Sequence, residues 1–347
     1  MEIDHISYMQ QALSLAKKGL GNVSPNPMVG CVIVHDHKIV AEGYHQKYGE
    51  AHAEVNAINA LPQHINPSEC TLYVTLEPCS HFGKTPPCSD LIIKTGFKKV
   101  VIANLDTNPL VGGKGIEKLR NAGIEVITGV CEKEGRELNK RFFTLHEKKR
   151  PYILLKWAQT ADGFISRSNP VNPHDNWITG PEAKQLVHQM RSEEDAILVG
   201  RNTVITDDPQ LTTRLVKGRN PLRVIISKIA KFDPLLNIFS KDARTIVFNS
   251  ELNEVKENVT FEKVDFIKPI TPQILEKLAK MGISSIIVEG GAETLNSFIN
   301  AELWDEMRVF VNPKLNFKTG VLAPKTMLNT DFQYIGHDKL YILYPKH

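Results

Sequence analysis

Apolar residues recur at two different spacings along this chain, and the switches between them mark its elements. Ile6, Met9, Leu13, Ala16 and Leu20 fall three to four residues apart with Lys17 and Lys18 between them, which predicts an amphipathic helix. Asn22-Val23-Ser24-Pro25-Asn26-Pro27 ends it, because two prolines preclude a continuing helix. Val29 to Val34 then reads as a strand, and the polar Asp36-His37-Lys38 turns it into a second, Ile39 to Tyr44, giving a hairpin. A short helix from Ala53 to Ala60 follows, then strands at Thr71 to Thr75 and Lys99 to Ala103. A helix at Gly115 to Ala122 is ended by Gly123. A strand at Ile124 to Thr128 and a helix ending near Phe143 complete this half. The alternation predicts an α/β unit with a largely parallel sheet.

The charged stretch Glu147-Lys148-Lys149-Arg150-Pro151 interrupts the pattern and predicts a boundary, with one domain at 1–147 and another at 148–347. A chain of 347 residues exceeds the roughly 100–200 residues typical of one domain. The second half predicts strands at Tyr152 to Ala158, Ala196 to Val199, Arg223 to Ile226, Thr245 to Phe248, Ser285 to Val288 and Met307 to Val311. Helices are predicted at Pro181 to Arg191 and at Pro272 to Lys280, the latter with Thr271 as N-cap. This too is α/β, and neither half shows an internal repeat.

Composition narrows the picture. With 41% hydrophobic and 23% charged residues the chain is an ordinary globular one, and a net charge of +3 is weak for a dedicated nucleic-acid binder. Five cysteines, an odd number, fit a disulfide framework poorly. The first residues read as an amphipathic helix and not as a signal peptide, and no apolar run is long enough to span a bilayer. A soluble cytoplasmic protein is expected, with no membrane or nucleic-acid partner.

Three pieces of the first half carry chemistry: His52-Ala53-Glu54, Pro78-Cys79 and Cys88. One imidazole and two thiolates supply the three protein ligands of a catalytic zinc site, which keeps its fourth position for water. Glu54 lies two residues from His52, on the same helical turn but aimed elsewhere, and so can handle protons without ligating the metal. Cys79 directly follows a strand and is expected to open a helix or turn whose N–H groups favour the thiolate. Taken singly, each piece has a bland explanation. A His-x-Glu pair is common on protein surfaces, and two cysteines nine positions apart could be core residues or half of a structural site. Their order on helix, strand and loop favours the catalytic arrangement. His5, His35, His37, His45 and His64 have no such context and read as surface or structural. Cys31 reads as core, and Cys70 and Cys131 join no cluster.

His52-Ala53-Glu54 with Pro78-Cys79 resembles the cytidine-deaminase superfamily. The gap in Pro78-Cys79-Ser80-His81-Phe82-Gly83-Lys84-Thr85-Pro86-Pro87-Cys88 is longer than that superfamily's usual two residues. It is similar to one branch, the bifunctional riboflavin-pathway deaminase/reductases. The segments Ser24 to Cys31, Gly43-Tyr44-His45 and Asp106-Thr107-Asn108-Pro109 fit that branch as well. The resemblance implies an N-terminal cytidine-deaminase-like α/β/α sandwich and a C-terminal dihydrofolate-reductase-like α/β domain that uses NADPH. It also implies a homo-oligomer and a phosphorylated pyrimidine as substrate.

The second half's own signals are weaker. Thr160-Ala161-Asp162-Gly163 follows a strand, Gly200 follows another, and Val288-Glu289-Gly290-Gly291 precedes a helix, where backbone N–H groups could cradle a phosphate or merely form a turn. The Gly-x-Gly-x-x-Gly dinucleotide fingerprint is absent. Arg191 and Arg214 could grip a substrate phosphate or could be solvated. The resemblance places the cofactor near Ala158, Trp177, Thr203, Asp207, Ser227 and Gly291, and the substrate near Arg191, Leu211, Arg214 and Glu289. Asp175-Asn176 stands where the family often has a serine before the tryptophan, and the loop Asn169 to Pro173 is proline-rich where glycine is common, so a substrate contact at Asp175 is the least supported of these. Two rivals stay open: a deaminase acting on bases in RNA, and a binding module stapled by structural zinc. The modest charge and the large second domain weigh against the first, and the non-ligand Glu54 weighs against the second.

Overall fold

A computed structural model of the chain describes residues 4–81, 86–108, 112–168, 176–328 and 331–345. It divides into two compact units, Met1–Lys149 and Arg150–His347. In chain order the first contains α1 (His5–Ala16), β1 (Gly30–His35), β2 (Lys38–Tyr44), α2 (Ala53–Asn59), β3 (Thr71–Leu76), α3 (Cys88–Thr95) and β4 (Lys99–Asn104). After these come α4 (Lys114–Asn121), β5 (Glu125–Thr128), α5 (Glu132–Leu138) and α6 (Lys140–Lys148).

Alternation along the strands builds three layers. Cys31, Ile33, Leu72, Val74, Val100 and Ile102 point to one face, where Ala53 and Ala57 of α2, Ile92 of α3 and Ile116 and Leu119 of α4 cover them. Val32, Val34, Tyr73, Val101 and Ala103 point to the other, against Met9, Ala12 and Leu13 of α1. The sheet order is β2-β1-β3-β4-β5. It is mixed, not largely parallel: β1 pairs antiparallel with both β2 and β3, and only β3/β4 and β4/β5 are parallel. The physical reason at β1/β2 is the tight turn. Asp36 and His37 both adopt positive φ, 47° and 61°, in a two-residue hairpin loop that can join only antiparallel strands.

Three local expectations shift. Helix α1 stops at Ala16 and tightens into a 3₁₀ turn over Lys17–Gly19, and Ile6 is exposed, so the buried stripe starts at Met9. The helix expected to end near Phe143 runs to Lys148, where Lys149 turns left-handed at φ 55°. Cys79 opens no helix; α3 begins instead at Cys88, after Pro87.

The second unit contains β6 (Tyr152–Thr160), β7 (Phe164–Arg167), α7 (Pro181–Glu193), β8 (Ala196–Gly200), α8 (Arg201–Asp207), β9 (Leu222–Ile226), β10 (Thr245–Asn249) and β11 (Glu254–Lys256). Then follow β12 (Val259–Lys263), α9 (Ile270–Lys280), β13 (Ser285–Val288), α10 (Ala292–Asn300), β14 (Glu306–Asn312), β15 (Gly320–Leu322), β16 (Gln333–Ile335) and β17 (Asp338–Leu343). Its main sheet runs β11-β12-β10-β9-β8-β13-β6-β14-β17-β16. All pairs from β12 to β14 are parallel, and the flanking pairs are antiparallel. Unbroken apolar runs such as Ile153-Leu154-Leu155 and Ala196-Ile197-Leu198-Val199 are what a parallel strand covered on both faces requires. Helices α9 and α10 cover one face, and α7 and α8 the other. Thr271 is not the N-cap of α9, which starts one residue earlier and buries Thr271 in its first turn. Gln273 reaches back instead, donating to the carbonyls of Pro269 and Asp265 and accepting from the Asp265 N–H.

The consequence for function is where loops gather. Parallel strands β6, β8, β9 and β13 present their C-terminal ends along one edge of the sheet, the edge at which open α/β sheets bind ligands.

Candidate active sites in the two units

In the first unit, α2 and β3 deliver the predicted triad. His52 is the N-cap of α2, Cys79 lies three residues beyond the end of β3, and Cys88 is the first residue of α3. His52 Nδ1 is 3.7 Å from Cys79 Sγ and 3.3 Å from Cys88 Sγ, and the three donor atoms all lie within 4.8 Å of one another. Tetrahedral zinc with ordinary Zn–N and Zn–S bonds separates such atoms by roughly 3.6 Å, so the residues fit the ion. The donor set fits it chemically too. The Cys79 thiol is pulled down by the Cys88 thiol, the His52 ring and the backbone N–H of Cys88, which donates to Cys79 Sγ at 3.3 Å. The N–H support expected for Cys79 is therefore present, but it comes from the start of α3.

Glu54 stands in the first turn of α2, only 3% exposed and outside the triad. Burial pushes its carboxyl up to about 7, with the negative charge of Cys79 adding to the effect and His52 opposing it. A carboxyl balanced in this way can take up and release a proton near neutrality.

Several groups at this site were not recognised from sequence. His45, read above as surface or structural, is 3% exposed and stacks edge-on to His52 with ring centroids 5.5 Å apart. Its Nδ1 faces the Ala51 carbonyl at 3.0 Å and its Nε2 faces Asn26 Nδ2 at 3.2 Å. Asp106 is half-buried, and that burial raises its carboxyl to about 6. Glu77 is buried next to Pro78, and its carboxylate accepts four backbone N–H groups. Oε2 takes those of Asp106 and Gly113, and Oε1 takes those of Gly115 and Ile116. One side chain thereby ties Asp106, Gly113 and the N-terminus of α4 to the strand that leads into Cys79. The available signal was a charged residue directly following the buried strand β3. Glu77→Gln turns an accepting oxygen into an NH₂ facing two N–H donors, so we expect urea unfolding of this unit to lose about 2–3 kcal/mol. A loss under ~0.5 kcal/mol would show that these segments do not depend on the carboxylate.

In the second unit the predicted cofactor residues collect along the C-terminal edge of the parallel strands. Ala158 is in β6, Thr203 and Asp207 are in α8 just beyond β8, Ser227 directly follows β9, and Gly291 is the N-cap of α10 beyond β13. Gly290 and Gly291 let this turn pass close to α8. A Cβ on Gly290 would come within 2.8 Å of Val199 Cγ1 and 3.1 Å of Thr203 Oγ1, and Gly291 adopts φ 56°. Ser227 accepts from Arg201, the first residue of α8. Trp177 is exposed, with Lys184 Nζ 3.6 Å above its ring. A glycine turn closely approached by helix starts, beside hydroxyl groups, is a surface suited to a dinucleotide phosphate.

The substrate residues divide. Arg191 grips Glu289 through Nε and Nη2, both at 2.8 Å, and its Nη1 faces the Thr212 carbonyl at 3.4 Å. That guanidinium is committed largely to a carboxylate, whereas Arg214 is exposed. Burial disfavours the Glu289 charge, but Arg191 and Lys156 outweigh it and hold the carboxyl at about 2. Lys156, 3.4 Å from Glu289, was not recognised from sequence. Its signal was a lysine inside a buried parallel strand. The Leu211 side chain packs in the core with Val187, Met190 and Val204, and its main chain adopts φ 50°. Asp175 and the 169–173 loop lie outside the described residues, as do residues 82–85 of the Cys79–Cys88 loop and Pro109.

Residues 2–104 match the family model of the cytidine and deoxycytidylate deaminase zinc-binding region, and residues 151–323 match that of the RibD C-terminal domain. The fold and the zinc-ligand cluster thus define a two-unit α/β enzyme that joins a zinc-binding deaminase domain to a reductase domain. The riboflavin biosynthesis protein RibD of Aquifex aeolicus is 48% identical over 321 residues, covering 90% of this chain and 88% of that protein. That of Bacillus amyloliquefaciens is 41% identical, covering 94% and 88%. The crystal structure of a diaminohydroxyphosphoribosylaminopyrimidine deaminase/5-amino-6-(5-phosphoribosylamino)uracil reductase from Thermotoga maritima superposes with a TM-score of 0.88 at 40% identity, covering 98% of both chains. The chain belongs to the RibD family, the bifunctional deaminase/reductases of riboflavin biosynthesis. Among the described residues no helix is long and apolar enough to cross a membrane, and all five cysteines are free thiols.

Proposed function

We propose that the two units act in turn on one phosphorylated pyrimidine, with residues 1–147 deaminating 2,5-diamino-6-ribosylamino-4(3H)-pyrimidinone 5′-phosphate and residues 148–347 reducing the product. The end product is 5-amino-6-ribitylaminouracil 5′-phosphate. The observation that carries the first step is the convergence of His52, Cys79 and Cys88 with Glu54 buried beside them but outside the ligand set. His52, Cys79 and Cys88 would hold one zinc ion, which would supply the Lewis acidity that lowers the pKa of water toward neutrality. Glu54 accepts a proton from the attacking water and returns it to the departing nitrogen, so that oxygen replaces the amino group and ammonia leaves. His45, which faces Asn26 and stacks edge-on to His52, backs the ligand set from inside the unit.

In the second unit bound NADPH would supply the hydride, and solvent the proton, for reduction at the ribosyl C1′ that opens the sugar to a ribityl chain. Ala158, Trp177, Thr203, Asp207, Ser227 and Gly291 line the cofactor's place, and Arg214 contacts the substrate phosphate. Arg191 acts with Glu289 as a fixed ion pair at this site, and Leu211 and Asp175 are the other candidate substrate residues. Family membership also supports a cytoplasmic homo-oligomer whose substrate is a small molecule and not a nucleic acid.

The metal assignment is tested by Cys88→Ser. Elemental analysis of the purified variant is expected to find zinc strongly reduced from one ion per chain, and ammonia release is expected to fall with it. Full occupancy would remove Cys88 from the site.

A further inference from the structure

Helix α7 places Lys184, His188 and Arg191 at i, i+4 and i+7, on one face. The two cationic residues belong to the surroundings of the reductive site. His188 between them is only 2% exposed and has no part in the function described so far. Its Nδ1 accepts the backbone N–H of Arg214 at 3.0 Å. An accepting Nδ1 must carry its lone pair, so the ring proton is on Nε2 and the ring is neutral. The surroundings maintain that state. Burial, then Arg191 and Arg214, push the ring down to about 4, with Lys184 adding to them and Glu289 alone opposing.

Among the described residues, the further hydrogen bond of Arg214 runs to Thr212. Its Nη1 donates to Thr212 Oγ1 at 3.1 Å, and Thr212 is itself buried. The next residue back, Thr213, is tied to Asn220 and to the Arg219 carbonyl. The segment Leu211–Arg214 is thus pinned by the Leu211 side chain in the core, by Thr213 laterally and by His188 at its end. Without the last, the exposed guanidinium hangs on a main chain whose final N–H has lost its partner.

We propose that His188 is a positioning residue of the reductive site, a neutral imidazole that holds the main chain of Arg214 so that its guanidinium meets the substrate phosphate already oriented. This rests on the assignment of Arg214 to that phosphate. Such a residue acts on substrate capture more than on hydride transfer, so its loss belongs in KM.

The test uses the full chain, NADPH and the deaminated intermediate, and compares His188→Asn, His188→Leu and Arg214→Ala. Asn places its amide oxygen close to the position of Nδ1 and can still accept from Arg214, whereas Leu cannot. We expect His188→Leu to raise the KM for the intermediate roughly tenfold with kcat within about threefold, and His188→Asn to stay within about threefold of the wild type in both. Arg214→Ala should raise KM about tenfold or more. NADPH affinity, measured by fluorescence titration, reports whether the unit is folded. If Leu impairs it, His188→Gln takes its place, with similar bulk and its carbonyl one bond too far out. An unchanged KM in Arg214→Ala would overturn the phosphate assignment on which the inference rests. A raised KM there would instead overturn the His188 role alone if the non-accepting variant kept a normal KM, or if the Asn variant were impaired equally.

Discussion

Glu54→Gln is expected to abolish deamination almost completely while leaving zinc in place. The amide keeps the shape of the carboxylate and fills the same buried position in the first turn of α2, but it cannot accept a proton from water. General acid–base assistance is worth about 10²–10⁴-fold, and one group serving both the attacking water and the leaving nitrogen should show the upper part of that range. Because Glu54 is not among the three clustered ligand atoms, metal content should stay near one zinc per chain. The check is ammonia release alongside elemental analysis of the same preparation. Deamination within about tenfold of the wild type would assign the proton transfer to another group. Loss of zinc would make Glu54 part of the metal site.

The largest effect on stability is expected at Glu289. Its carboxylate is buried against Arg191 and Lys156, with two hydrogen bonds of 2.8 Å to Arg191. Glu289→Gln leaves two buried cations facing a neutral amide, and breaking a buried pair from one side costs about 3–5 kcal/mol. For a unit of this size that lowers Tm on the order of 10 °C, and calorimetry should place the loss in the second unit's transition. The triple variant Lys156→Met, Arg191→Met, Glu289→Leu should recover much of that stability, because the buried-charge cost disappears with all three partners, yet remain inactive in reduction. A single Glu289→Gln variant melting within ~2 °C of the wild type would mean that the pair is solvated and not structural.

How much of this was legible in the sequence follows from the range of the interactions. The strand runs at Lys99–Asn104 and Ala196–Gly200 declare themselves, because burial on both faces demands continuous apolar residues. The pairing of β1 with β3 does not, since it joins segments about forty residues apart that carry no local mark of direction. The clustering of His52, Cys79 and Cys88 was readable because His, Cys and Cys are rare and their chemistry is specific. His45 was missed because its burial comes from Asn26 and Ala51 in separate loops, which nothing in Gly43-Tyr44-His45 announces. Cys88 was placed in a loop, although Pro86-Pro87 ahead of it marks a helix start as readily as a turn. In the second unit, Arg191 and Glu289 are 98 positions apart, and only the adjacency of α7 to the end of β13 turns a supposed free phosphate ligand into half of an ion pair. His188 was unreadable for the same reason.

The central claim is that one chain holds two separate active centres working in sequence. It is tested most directly by supplying the wild-type protein with the diaminopyrimidine ribosyl phosphate and following ammonia and NADPH together. The account predicts ammonia at an undiminished rate when NADPH is withheld, and one NADPH oxidised per ammonia released once it is added. Ammonia release that required NADPH, or NADPH oxidation running ahead of ammonia, would contradict it.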